Sequence, residues 1–469
     1  MRRPIAAVIL VLAASALSLA ACGGSRPPNV VLIVVDSLRA DALGGRDGQP
    51  TVSPRIDRLV AEGLRFERAV APASWNLPSV SSLVTSTYPW VHGQGAAASG
   101  KAELTTLAEA FARAGYRTAA FTEVGWPLLQ RGFDVFENTA GSDMFGDPRG
   151  NSAAKTLGAA LAWARKEDAR PFFLLVHTYE VHSYFLGKPA HRAFAARQLP
   201  AYQGPFRDWG IRDLNVPAGP QVIDALLGAS ADDMAYVRAL YRGAVSELDT
   251  EVGRFADGLA AAGLDGRTIV ALTSTNGEGF RPDLKRVHHG GRLHDDVLHV
   301  PLAVLWPGHI APGDSSALVG TLDVAPTLVR LAALPEERHF AGQALVTADT
   351  SFMSRFRGPR FLLRTLPSRP TVAQEATFRI LPTGRREAAT GPQLALHSDW
   401  VSLIADGDRS ELYDLKDDPR QEKDLAASHP DVVASLREQL RRLTEGAGRP
   451  GSGPDAAQLE QLRSLGYVQ

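Results

Sequence analysis

Residues 74–79 read Ser-Trp-Asn-Leu-Pro-Ser, and the run VSSLVTS follows them. A loop that turns into a helix suits a nucleophile, because the first turn stabilises nearby negative charge. The residue in that seat is Asn76, whose amide is a poor nucleophile and a poor base. In open α/β sheets, ligands bind at the carboxyl ends of strands, and three such ends stand out. Asp36 closes the apolar run NVVLIVV (29–35). His177 and His182 follow PFFLLV, in the stretch HTYEVHSYF. Thr275-Asn276-Gly277 follows TIVALTS, and a fourth cluster, HHGGRLHDD (288–296), precedes VPLAVLW.

The elements that must position these residues are readable from pattern. NVVLIVV, PFFLLVH (171–177), TIVALTS (268–274) and VPLAVLW (300–306) are continuous apolar runs, as strands buried on both faces should be. YRTAAF (116–121) is a further strand. SPRIDRLVAEG (53–63) predicts a helix, with Ser53 as N-cap, Pro54 in its first turn and Gly63 at its end. In TLAEAFARAGY, Thr106 and Glu109 make a capping box and Gly115 closes the helix. Met234, Val237, Leu240, Tyr241, Ala244, Val245 and Leu248 keep helical spacing along one long helix. Strands alternating with helices predict an α/β domain whose mostly parallel sheet is covered on both faces. From about residue 345 to 425 the pattern changes to short strands and turns, including WVSLIADGDRSELYDL, which predicts a small antiparallel sheet. Pro430 then opens an amphipathic helix carrying Val432, Val433, Leu436, Leu440 and Leu443.

The chain has 469 residues, 50 basic against 51 acidic, and 45% apolar residues. That balance gives no basic surface for nucleic acid and no polybasic membrane patch. The first 22 residues, MRRPIAAVILVLAASALSLAAC, have the charged, apolar and small-residue regions of a secretory signal. Leu19-Ala20-Ala21-Cys22 resembles a bacterial lipobox. The resemblance implies cleavage before Cys22, lipidation of its thiol, and a lipid-anchored protein of the cell envelope. An ordinary signal peptide with an incidental Cys, or an uncleaved anchor, is the alternative. Cys22 is the one cysteine, which excludes an internal disulfide framework. The expected organisation is a signal at 1–21, a tether at 22–28, an α/β domain at 29–344, a small α+β subdomain at 345–445, and a flexible break and tail at 446–469.

At this point the chain resembles the sulfatase family of the alkaline phosphatase superfamily. NVVLIVVDSLRAD, SPRIDRLVAEGLRFERAVAPASWNLPS, TLAEAFARAGYRTAAF, RPFFLLVHTYEVH, GRLHDDVLHVPLAVLWPG, LDVAPTLVRLA and ELYDLKDDP are similar to family segments in matching order. The resemblance implies the family fold, a large mostly parallel sheet between helices with a small C-terminal antiparallel sheet plus helix. It also implies hydrolysis of sulfuric or phosphoric esters at a divalent metal, most often calcium, which is held by carboxylate and amide oxygens. Sulfatases use a formylglycine made from Cys or Ser, and phosphoryl-transferring relatives use Thr or Ser.

Carried over position by position, the site is altered. Asn76 stands in the nucleophile slot and cannot become formylglycine. Val80 replaces the supporting Arg. Asp36 keeps a metal-ligand position, Ser37 stands where many sulfatases have a second Asp, and the late acidic pair is Thr275-Asn276. His182 and His289 match substrate-side histidines. One carboxylate in place of three predicts weak or absent calcium binding.

Blander roles stand beside these. Asp36 could cap, and the two histidines could be structural. Ser74 or Ser79 could serve as a surrogate nucleophile, although Ser79 is expected to cap the helix. Glu278 could donate a replacement carboxylate, but a turn or solvent-facing role is expected. Lys285, Arg286 and Arg292 could bind an anion but are expected to face water, and Asp295 and Asp296 are expected to cap or pair near a strand entry and not to bind metal. The sequence leaves three functions open. They are an impaired sulfatase homologue keeping a pocket for a sulfated or phosphorylated glycan, an active hydrolase with an altered site, and a non-catalytic scaffold. Oligomeric state is not readable.

Overall fold

The structure, a computed structural model, describes residues 26–45, 50–94, 104–140, 152–209, 218–348, 361–363, 369–375, 378–380, 386–388 and 392–446. The signal segment, Cys22 and the tail after 446 lie outside them. Among the described residues, no helix is long and apolar enough to cross a membrane.

Ten strands of the first 320 residues are β1 (Asn29–Val35), β2 (Leu64–Val70), β3 (Arg117–Thr122), β4 (Val135–Asn138), β5 (Phe172–Thr178), β6 (Thr268–Ser274), β7 (Gly279–Arg281), β8 (Arg286–His288), β9 (His299–Leu305) and β10 (Gly313–Gly320). Eight of them form one sheet in the order β10-β2-β9-β6-β1-β5-β3-β4, while β7 and β8 make a small hairpin. Strand β1 runs parallel to β5 on one side and to β6 on the other. Only β9 opposes its neighbours, β6 and β2.

The composition of β1 explains its central place. All seven residues are buried, and successive side chains point to opposite faces. Val31, Ile33 and Val35 join Ile56, Leu157, Val237, Leu240 and Leu248, from helices on one face. Val30, Leu32 and Val34 join Leu107, Phe111, Val324 and Leu328 on the other. A half-polar strand could not sit between two such layers. Each buried aliphatic side chain adds about 1.5–3 kcal/mol. The long helix Ala231–Ala261 carries the expected apolar stripe.

The capping box forms as read. Glu109 N–H donates to Thr106 Oγ1 at 3.2 Å, and Thr106 N–H donates to Glu109 Oε2 at 2.8 Å. Ser53 holds the N-cap position, but its hydroxyl donates to Asp57 Oδ1 at 2.9 Å instead of capping the helix.

The C-terminal part is a four-stranded antiparallel sheet of Thr371–Glu375, Gln393–Ser398, Val401–Asp406 and Arg409–Asp414. The helix Pro430–Gly446 buries Leu440 against Val372, Leu396, Leu403 and Leu412. The sheet's other face packs Ala373, Ala395, Ile404 and Tyr413 on Val70, Leu293, Val297 and Leu298.

This topology decides where chemistry gathers. The parallel strands β1, β2, β3, β5 and β6 all end on one edge. Because β9 is antiparallel, it begins on that edge, and the segment before it (275–298) stays there too. Backbone bonds fasten these ends together. Asp36 N–H donates to Thr178 O, Thr275 N–H to Val35 O, Gly277 N–H to Val297 O, and Gly290 N–H to Ser74 O.

Candidate functional site

Asp36 sits at the end of β1 with no solvent exposure. Its two carboxylate oxygens are both engaged. Oδ2 accepts a hydrogen bond from Asn76 Nδ2 at 2.9 Å, and Oδ1 accepts one from Thr275 Oγ1 at 2.5 Å. Burial opposes the charge on Asp36, yet its pKa lies below the ordinary carboxylate value. His182, His289 and His177 face it, and Asn76 donates to it.

Asn76 is the first residue of the helix Asn76–Thr85, and its Oδ1 accepts from Leu77 N–H at 2.7 Å. The expected cap at Ser79 is corrected here. Trp75 holds the N-cap position, and the Ser79 hydroxyl donates back to Ala73 O at 2.9 Å. The loop before the helix is therefore held by a side chain inside the helix.

Thr275 Oγ1 also lies 2.9 Å from Asn276 Oδ1. One hydroxyl carries one proton, so the shorter approach to the charged carboxylate takes it. Asn276 Nδ2 donates to Gly277 O at 2.9 Å and to Ser37 Oγ at 3.3 Å. Ser37 adopts φ +62°, the left-handed region, and its carbonyl accepts from Tyr241 OH at 2.8 Å.

These contacts test calcium against the residues present. A hard cation needs several oxygens with free lone pairs and summed negative charge. Asp36 is the one carboxylate of the four positions carried over, and neutral donors face both its oxygens. The set does not fit calcium.

A second cluster lies beside the first. Glu278 is fully buried, which corrects its expected place in a turn or facing solvent. Its Oε2 is 2.9 Å from His289 Nδ1, and its Oε1 is 3.3 Å from His288 Nδ1. Glycines on both sides make this burial feasible. A Cβ at Gly277 would collide with the Asp296 carbonyl, and one at Gly279 would press on the Arg286 and His288 carbonyls. Arg292, expected in water, is also buried and pairs with Asp296. Burial alone would raise the pKa of Glu278, but His288 and His289 bring it well below the usual range. Burial would lower His289, but Glu278 raises it. Burial and the neighbouring His289 lower His288. The electrostatics are those of a Glu278–His289 ion pair beside a neutral His288.

His182 begins a short 3-10 turn after β5. Its ring centre lies 5.0 Å from that of His289 and 6.1 Å from that of His288. Burial pushes its pKa down to about 3. His177, the penultimate residue of β5, is buried with both ring nitrogens lacking hydrogen-bond partners, and burial takes its pKa to about 4. Asp36, Ser37, Asn76, His182, Thr275, Asn276 and His289 thus meet at one edge of the sheet, and none of their side chains is exposed. A separate cavity of about 710 Å³, lined by Asp57, Arg65, Arg68, His299 and Trp400, includes none of them.

Two buried acids escaped the sequence reading. Glu180 accepts from Ser152 N–H and Oγ, both at 2.8 Å, and pairs with Lys188 and His191 at 2.9 Å. Glu123 accepts from Tyr179 N–H at 3.0 Å and from Thr156 Oγ1 at 2.9 Å, and burial raises its pKa. Glu123 follows β3 directly and Glu180 follows β5 after Tyr179, and that placement at strand ends is the signal that could have found them.

A family model described as Sulfatase matches residues 28–334. Human arylsulfatase A is 26% identical over 88% of this chain and 87% of its own length. The N-acetylgalactosamine-6-O-sulfatase of Bacteroides thetaiotaomicron is 21% identical over 89% and 93%. Among solved structures, a 2-O GAG sulfatase superposes with TM-score 0.69 at 19% identity, covering 94% of this chain and 96% of that one. The phosphonate monoester hydrolase of Agrobacterium radiobacter gives TM-score 0.65 at 19% identity, covering 90% and 96%.

Proposed function

The chain belongs to the sulfatase family, and from that premise we propose that it is a lipid-anchored envelope protein whose ester-hydrolysis site is closed. It would keep the fold and an anion-binding edge without the family's catalytic route. The observation that carries this reading is the pair of hydrogen bonds to Asp36. The residue in the nucleophile slot, Asn76, and the residue replacing a metal-ligand acid, Thr275, both donate to the one remaining carboxylate. Each substitution alone removes a function. Together they satisfy the buried charge that a cation would otherwise satisfy, so the site is stable without an ion.

The ligand class follows from relatives. One solved structure similar in fold holds D-glucosamine-2-N,6-O-disulfate, and others are a 2-O GAG sulfatase and a complex with k-i-k-neocarrahexaose. A sulfated glycan is therefore the ligand proposed here. The envelope location rests on the leader and on Cys22. The test is turnover of aryl sulfate, phosphate monoester and phosphonate monoester substrates, with elemental analysis for calcium. The expected outcome is no turnover above an Asp36→Ala control and less than one calcium per chain. Stoichiometric calcium, or turnover lost in that control, would overturn the reading.

A specific observation favours a second reading, an active hydrolase with an altered site. His177, His182, His288 and His289 converge with Glu278 near Asp36, and such a group can move protons. Calcium-independent turnover abolished by His182→Ala would select it.

A further inference from the structure

We propose that Glu278, His288 and His289 form a binding site for a borderline transition-metal ion such as Zn²⁺, next to the family's hard-cation position. One ligand atom from each of these residues lies within 4.8 Å of the others, and all three side chains are buried. Four ligands at about 2.0–2.1 Å around zinc stand about 3.3 Å apart. Glu278 presents one carboxylate oxygen to each imidazole, Oε2 at 2.9 Å from His289 Nδ1 and Oε1 at 3.3 Å from His288 Nδ1. Little movement is needed to admit an ion.

The orientation of His288 supports the same conclusion. Although His288 Nδ1 is 3.3 Å from the carboxylate, it makes no hydrogen bond in acceptable geometry. His288 Nδ1 therefore gives up no well-formed hydrogen bond when an ion takes it as a ligand. A fourth position is available beside Ser37, whose Oγ lies 3.4 Å from His289 Nδ1. Two imidazoles and one carboxylate are a donor set used by zinc with an open fourth position, and they are poor ligands for calcium.

The hairpin explains how the site is built. Strands β7 and β8 pair Gly279 with His288, which sets Glu278 and His289 just beyond one end. His288 has φ +57°, and this left-handed turn sets two consecutive imidazoles beside the same carboxylate. An ion there would pin the hairpin to the end of β6.

The experiment is zinc binding by the full chain, read by elemental analysis after dialysis and by competition with a chromophoric chelator. One zinc per chain is expected. His288→Ala and Glu278→Gln should each weaken binding by at least about 100-fold, since even outer-shell partners cost roughly 10–100-fold. Asp36→Asn should leave zinc binding intact. Substitution of Co²⁺ into the unmutated protein gives a readout independent of variant folding, and intense visible bands of a four-coordinate N/O site are expected. Less than stoichiometric zinc in the unmutated protein would overturn the proposal. So would equal affinity in His288→Ala, or loss of zinc in Asp36→Asn alone. These outcomes do not involve turnover or calcium, so they are independent of the closed-site reading.

Discussion

At the scale of single residues, the site is a balance around one buried charge. Removing either donor to Asp36 leaves that charge less compensated. Asn76→Ala and Thr275→Val should each destabilise the fold by about 1.5–3 kcal/mol, the usual worth of a hydrogen bond to a charged group. Urea unfolding of the two variants would measure this, and no change in midpoint would contradict it. The reverse substitution is more telling. Thr275→Asp sets a second carboxylate against Asp36, which burial and like charge both penalise. That variant should lose about 3 kcal/mol or more without calcium, and calcium should raise its melting temperature while leaving the unmutated protein unmoved. A calcium-insensitive Thr275→Asp protein would show that Ser37 and Asn276 no longer serve as ligands. The types at 36, 76 and 275 were legible in the sequence, because each stands at a strand or helix end. Their mutual hydrogen bonds were not, because 40 and 239 residues separate the partners.

At the scale of elements, buried acids tie helices to the sheet edge. Glu180 holds the first residues of the helix Ser152–Ala164 through Ser152 and Ala153, and it holds the helix Pro189–Gln198 through Lys188 and His191. Burial raises its pKa, but the His191 hydrogen bond and the Lys188 charge outweigh this and bring it to about 2. A carboxyl with a depressed folded pKa contributes stability above its unfolded value and loses it as pH falls. The loss should therefore run from about pH 4.5 down to about 2. Glu180→Ala leaves Lys188 buried without its partner and should cost about 3–5 kcal/mol near neutral pH. Equilibrium unfolding of that variant checks the figure, and a cost under 1 kcal/mol would refute the tie. The helices and central strands were readable from period and capping, since β1, β5 and the helix at 231–261 bury the residues their spacing marks. Glu278 was misread because local sequence shows only Gly-Glu-Gly, a turn signal. The histidines that bury it come from the far side of a hairpin.

At the scale of the whole molecule, several histidines are buried neutral. Burial lowers His92 to about 3, His177 to about 4 and His182 to about 3, each from 6.5. Below pH 6.5 the unfolded chain binds protons that the folded chain refuses, so stability falls as pH falls. Each such group contributes up to about 1.4 kcal/mol per pH unit. His289, raised by Glu278, works the other way, but its contribution is complete below pH 6.5 and is lost only as pH rises above it. The urea midpoint should fall steadily from pH 6.5 to pH 5, and a flat profile would mean that these histidines titrate normally in the fold. The fold class was legible because strand and helix patterns alternate along most of the chain. The antiparallel insertion of β9 was not, because a buried strand reads the same in either direction.

Strand β1 has a consequence in time as well as in space. It is made first, yet its partners β5 and β6 arrive 143 and 239 residues later. Until then NVVLIVV has two open edges, no charge and high β-propensity, which are the properties of a self-associating segment. Such distant pairing also makes folding slow. A chain ending before β6 would leave one edge of its most apolar strand without a neighbour, so residues 268–274 are the ones whose arrival removes the last open edge of β1.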